Sequence, residues 1–83
     1  METIEQETMY VQLEYDRLWA MKDSQMRLRE ASQFVRLALD TEKIIVMSND
    51  PHKDFYLAIV HRLAVTVAKQ ILGIKDQNPW DQP

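Results

Sequence analysis

Two histidines are the natural place to look for chemistry in this chain, because it contains no cysteine. Without a thiol there is no thiolate nucleophile, no disulfide and no sulfur ligand for a metal. His61 lies beside Arg62 and seven residues after Asp54. A histidine working as a general base needs an orienting acid and a nucleophile or water within hydrogen-bond reach. The sequence brings no such compact set together, so we expect no catalytic residue and read His61 as a surface or interface histidine. His52, in the first turn of a helix expected to begin at Pro51, reads as structural or solvated. Asp50, His52 and Asp54 could offer metal ligands from one turn, but such residues also collect at helix starts for capping reasons. Neither the Glu-x-x-His pair of di-iron bundles nor a His-Glu-x-x-His motif is present. The expectation is no metal, no cofactor and a non-enzymatic chain. Glycine occurs once, at Gly73, which disfavours phosphate-cradling loops and tight hairpins.

Phosphate binding is the second chemistry to weigh. Lys22, Arg29, Arg36 and Lys43 recur every seven residues, with Arg27 in the same region. A row of this kind can contact a nucleic-acid backbone. Asp16, Asp23, Glu30 and Asp40 interleave with it and weaken its field. The net charge of −3 gives no global attraction to nucleic acid or to an anionic membrane. There is no short helix-turn-helix with a basic recognition helix and no zinc-finger spacing. The row therefore reads first as a solvated face, with Asp23–Arg27 and Arg36–Asp40 as i,i+4 ion pairs. A dimeric nucleic-acid-binding regulator using Lys22, Arg29, Arg36 and Lys43 is the alternative.

The elements that would carry these residues are helical. At 83 residues the chain is one domain with room for a small core. Thr3 is placed to cap a first helix, with Gln6 at the reciprocal capping-box position and Glu5 and Glu7 near the positive end of the dipole. Val11, Tyr15 and Leu18 follow at helical spacing. Asp23 or Ser24 could cap a second helix. No Gly or Pro interrupts the segment and its residues are good helix formers, so one helix over residues 4–46, bent or broken near 23, is the expected form. Met21, Leu28 and Val35 alternate with Ser24, Ala31 and Ala38, a seam that a second helix could approach closely. Phe34, Leu37 and Leu39 widen the apolar surface beyond a coiled-coil stripe. Met9, Met21, Met26 and Met47 read as adaptable packing residues that fill a helical core or, as the alternative, line a partner groove.

Ser48-Asn49-Asp50-Pro51 marks the clearest boundary, with Asp50 or Asn49 as cap and Pro51 in the first helical position. The next helix is expected over residues 51–72, with Gly73 as its C-terminal cap. It carries Phe55, Tyr56, Leu57, Val60, Leu63, Val67 and Ile71 against a narrow polar stripe, so it needs more than one neighbour. Residues 1–73 thus form one helical domain and 74–83 an irregular tail carrying Trp80.

The expected fold is all-α: an antiparallel hairpin of one long and one shorter helix, pairing with a second copy into a four-helix bundle. A monomeric three-helix bundle is the alternative, available only if Asp23-Ser24 is a real turn. The expected protein interface is Met21, Leu28, Ala31, Val35 and Ala38 with Tyr56, Val60, Leu63, Val67, Ile71 and Trp80. The corresponding function is a small protein–protein interaction or regulatory protein, a self-associating helical adaptor or inhibitor with a further protein partner. Glu2, Glu5, Glu7, Glu14 and Asp16, with no Lys or Arg among the first sixteen residues, could steer a basic partner. A composite inter-subunit enzyme site is a third reading, which a cleft lined by His61, Asp54 and Arg62 would favour. The acidic N-terminus lacks a signal peptide's apolar run. The apolar segment 55–74 is interrupted by His61, Arg62, Lys69 and Gln70. No membrane role and a cytoplasmic location are the expectations.

Overall fold

Where the chain turns decides the architecture, and among the described residues it turns twice between helices. A computed structural model describes residues 3–73 and places three helices there. These are α1 (Ile4–Ala20), α2 (Ser24–Val46) and α3 (Lys53–Ile71). The tail of residues 74–83, with Trp80, lies outside the described residues.

Helix α1 starts on a capping box. The Thr3 hydroxyl accepts from the Gln6 amide at 3.2 Å, and the Gln6 side chain accepts from the Thr3 amide at 3.0 Å. It stops at Met21, which is extended with φ −67° and ψ 129°. Asp23 is extended too, and its carboxylate accepts from the Gln25 amide at 2.9 Å and the Met26 amide at 3.3 Å, capping α2. From the first turn of α2, Arg27 reaches back to donate to the Met21 carbonyl at 3.1 Å. Its guanidinium lies 5.7 Å from the Trp19 ring centroid. One carboxylate and one guanidinium therefore close the turn.

This overturns the expected hairpin and its pairing into a four-helix bundle. Residues 4–46 are two helices, and α1 folds back to pack on both α2 and α3. The molecule is a three-helix bundle, the alternative architecture. The turn needs neither glycine nor proline. The backbone angles at Met21 and Asp23 are open to any L residue.

The second turn is built from Ser48 and Asp50. The Ser48 hydroxyl accepts from the Asp50 amide at 3.0 Å, and the Asp50 carboxylate accepts from the His52 amide at 2.8 Å. Pro51 and His52 belong to this turn, and α3 starts at Lys53. Asp50 thus organises the turn one step ahead of the helix. At the far end, Gly73 at φ +75° follows the Leu72 C-cap, in the left-handed conformation that costs glycine least.

Each helix offers the core a stripe at alternating three- and four-residue spacing. Ile4, Thr8, Val11 and Leu18 come from α1, Ala31, Phe34, Ala38, Thr41 and Ile45 from α2, and Val60, Ala64 and Val67 from α3. Ala31, Ala38 and Ala64 keep side chains short at the junctions. Phe34 fills space beside Tyr15, whose ring centroid is 5.9 Å away. The two buried threonines satisfy their hydroxyls within their own helices, Thr8 on the Ile4 carbonyl at 2.7 Å and Thr41 on the Leu37 carbonyl at 2.9 Å. Outside the core, Arg17 on α1 pairs with Glu14 at 2.8 Å and reaches Glu30 of α2 at 3.8 Å. The Glu14 hydrogen bond is the largest cause holding the Arg17 guanidinium above its usual range, with the Glu14 and Glu30 charges in the same sense.

Candidate functional site

A second apolar stripe runs along α2 beside the core stripe. Leu28, Leu39 and Val46 are exposed, and Val35 is half-buried. Their spacing of seven, four and seven residues keeps them on one side of the helix. The neighbouring side of α3 is also short of polar groups: Leu57, Val65 and Ala68 are half-buried and Ala58 is exposed. Between these surfaces lies a groove of about 740 Å³, lined by Leu39, Glu42, Lys43, Val46 and Met47 of α2 and its C-cap and by Asp54, Leu57, Ala58 and His61 of α3. Helix α1 lies on another side of the α2–α3 pair, so this groove has no third wall among the described residues.

One polar contact crosses it. His61 Nδ1 donates to Glu42 Oε1 at 3.1 Å. The His61 side chain is 66% exposed, so its ring edge is at the surface. The pair is nineteen residues apart in sequence, and no spacing rule could have revealed it. Asp54 shares the groove with His61, but Arg62 is not among its lining residues. The lining contains no serine, threonine or cysteine to serve as a nucleophile. Its donor set is one imidazole, two carboxylates and one ammonium above an aliphatic floor. Among the described residues no group of three or more His, Asp or Glu is gathered to hold a metal ion.

The residues expected to form an interface are divided by the fold. Ala31, Ala38, Val60 and Val67 are buried in the bundle's own core. Met21, Val35, Tyr56, Leu63 and Ile71 pack partly buried against it. Leu28 stays 54% exposed, and Trp80 falls in the undescribed tail. The α2 core stripe is turned from Leu28 and Val35 towards Phe34, Thr41 and Ile45, leaving the former pair at the margin. The methionines do not fill the core as expected: Met9, Met26 and Met47 are exposed and only Met21 is partly covered.

Lys22, Arg29, Arg36 and Lys43 are all exposed, and none of them is ion-paired among the described residues. The expected Asp23–Arg27 and Arg36–Asp40 pairs are not formed. Asp23 is committed to capping and Arg27 to Trp19 and the Met21 carbonyl. Lys43 lines the groove; Arg36 and Arg29 lie on the same side of α2, before the groove begins at Leu39.

Two smaller clefts flank the core. One of about 290 Å³ lies at the α1–α2 turn, walled by Trp19, Gln25, Leu28, Val67 and Gln70 among others. Trp19 Nε1 is buried there without an acceptor among the described residues. The other, of about 430 Å³, lies on α1 around Met9 and Leu13, with Leu63 of α3.

Comparison with protein-family models, with curated proteins and with solved structures finds no match to this chain. No helix among the described residues is long and apolar enough to cross a membrane.

Proposed function

We propose that the chain is a protein-interaction module, a three-helix bundle that presents the α2–α3 groove to a protein partner. One observation carries this reading. The core is complete without Leu39, Val46 and Met47, yet these side chains stand 48%, 56% and 83% exposed around one groove. Isolated exposed apolar residues are ordinary, but a contiguous set between two helices marks a recognition surface. The lining supports binding over catalysis: its floor is aliphatic, and its His61–Glu42 pair has no hydroxyl or thiol beside it in the groove. Self-association is not needed to complete the core, because α1 supplies the third helix.

The test is a photo-crosslinking amino acid placed at Leu39 or, as a control, at Gln33 outside the groove, in the full chain within the cells that make it. A discrete protein adduct from position 39, absent from position 33 and lost when Val46→Gln is added, is the expected result. Equal adducts from both positions, or none from position 39, would remove the reading.

A second reading rests on a separate observation, the exposed cationic row Lys22, Arg29, Arg36 and Lys43 with no ion pair among the described residues. Such a row would serve a nucleic-acid-binding regulator and would bind mixed duplex or single-stranded probes with steep salt dependence. Absence of a gel shift at low salt would eliminate it.

A further inference from the structure

We infer that the occupant of the α2–α3 groove is an amphipathic helix of another protein whose apolar stripe is flanked by carboxylates. This rests on the interaction-module reading and adds the partner's chemistry to it. The shape of the occupant follows from hydrogen bonding. The floor is Leu39, Val46, Met47, Leu57 and Ala58, which offer no side-chain donor or acceptor. An extended peptide pressed onto it would lose water from backbone groups that find no partner there, whereas a helix satisfies its backbone internally. Two antiparallel helices with an open groove between them also match the packing a further helix makes in a bundle. The α2 wall of the groove runs from Leu39 to Met47, a rise of about 12 Å, so a docked helix would lie on it for about two turns.

Charge sets the flanks. Arg29, Arg36 and Lys43 each follow by one residue the row Leu28, Val35 and Glu42, so they stand about 100° further round α2, on the side away from the core. They form a cationic edge along the apolar stripe. Glu42 is engaged by His61, which leaves Asp54 as the other lining carboxylate, at the opposite wall. A partner helix with Glu or Asp beside its apolar stripe on the α2 side would meet Lys43 in the groove and Arg36 about one turn before it, with Asp40 on the outer side of that pair. One with Lys or Arg there would be repelled. The groove is concave, which suits a helix better than the flat surface of a bilayer. The outer side of this chain's own α1, with exposed Met9 and Leu13 near Glu5 and Asp16, has related chemistry, so a second copy is the competing occupant.

The probes are two synthetic three-heptad helical peptides with the same leucine stripe, one flanked by glutamate and one by lysine. Each is titrated with the full chain by fluorescence anisotropy at near-physiological salt. The glutamate peptide is expected to bind about 10-fold or more tightly than the lysine peptide, with the gap narrowing as salt rises. In Arg36→Glu/Lys43→Glu the order reverses. In Leu39→Gln/Val46→Gln both peptides are lost, while the helical circular-dichroism spectrum and the melting temperature stay unchanged. Equal binding of both peptides, with both lost in Leu39→Gln/Val46→Gln, would overturn the acidic-helix inference and leave the groove reading standing. No binding of the glutamate peptide would overturn the inference. So would a dimer by light scattering that Leu39→Gln/Val46→Gln dissociates, or binding to anionic phospholipid vesicles that the same variant abolishes.

Discussion

Asp23 shows how much of a fold can rest on one carboxylate. It accepts two amide hydrogen bonds at the only point where the first helical region can reverse. Asp23→Ala should destabilise the bundle by about 1 kcal/mol, the usual value of an N-cap, as read from urea denaturation. Asp23→Asn should retain most of it, because the amide oxygen can still accept. Tyr56 offers a pH-dependent test. Desolvation is the main cause holding its phenol above the ordinary value of 10.0, with the Glu5 and Asp50 charges acting in the same sense. The native state therefore keeps its proton where the unfolded chain has begun to lose it. Stability from this group is intact below pH 10 and declines as pH rises through the native value. Denaturation midpoints should fall above pH 10 in the natural protein, and Tyr56→Phe should make that decline shallower. An identical decline in both would remove Tyr56 as its source. Some residue-scale features were open to the sequence, notably the Thr3–Gln6 capping box. The His61–Glu42 contact was not, since it joins two helices across a turn.

The elements were legible where their stripes were continuous and misread where the stripe changed phase. Carried forward from Leu18, the α1 pattern of alternating three- and four-residue steps lands on Lys22, Gln25, Arg29 and Ser32, all polar. The α2 stripe resumes out of step at Ala31, Phe34 and Ala38. That phase break is the sequence signal for two helices, although no Gly or Pro marks the turn between them. Leu28 and Val35, expected at an interface, lie at the margin of the α2 core stripe, because the orientation of α2 is set by its packing against α1 as well as α3. The two stripes of α2 should behave differently on substitution. Ile45→Ala, at a fully buried site, should cost about 2–5 kcal/mol. Leu39→Gln and Val46→Gln, at exposed sites of similar helix propensity, should each stay within about 0.5 kcal/mol of the natural chain. Thermal or chemical melts of the three variants decide this, and a large loss at Leu39 or Val46 would mean that the second stripe serves the fold.

At the scale of the whole molecule, a three-helix bundle buries one side of each helix and leaves the outer grooves open. The smaller clefts around Trp19 and around Met9 are lined by fewer exposed aliphatic groups than the α2–α3 groove. The sequence carried the apolar excess of α3 that demanded more than one neighbour. It does not say which neighbours, because no Gly or Pro separates α1 from α2. Helix α1 closes the core, and the α2–α3 groove beside it has no covering helix among the described residues. Methyl NMR of the dilute protein with a soluble paramagnetic cosolute tests both halves in one spectrum. Val11, Ile45, Val60 and Val67 methyls should be protected while those of Leu39, Val46 and Met47 broaden strongly. Broadened Val11 methyls would mean that α1 does not close the core, and protected Leu39 and Val46 methyls would mean that the groove is already filled.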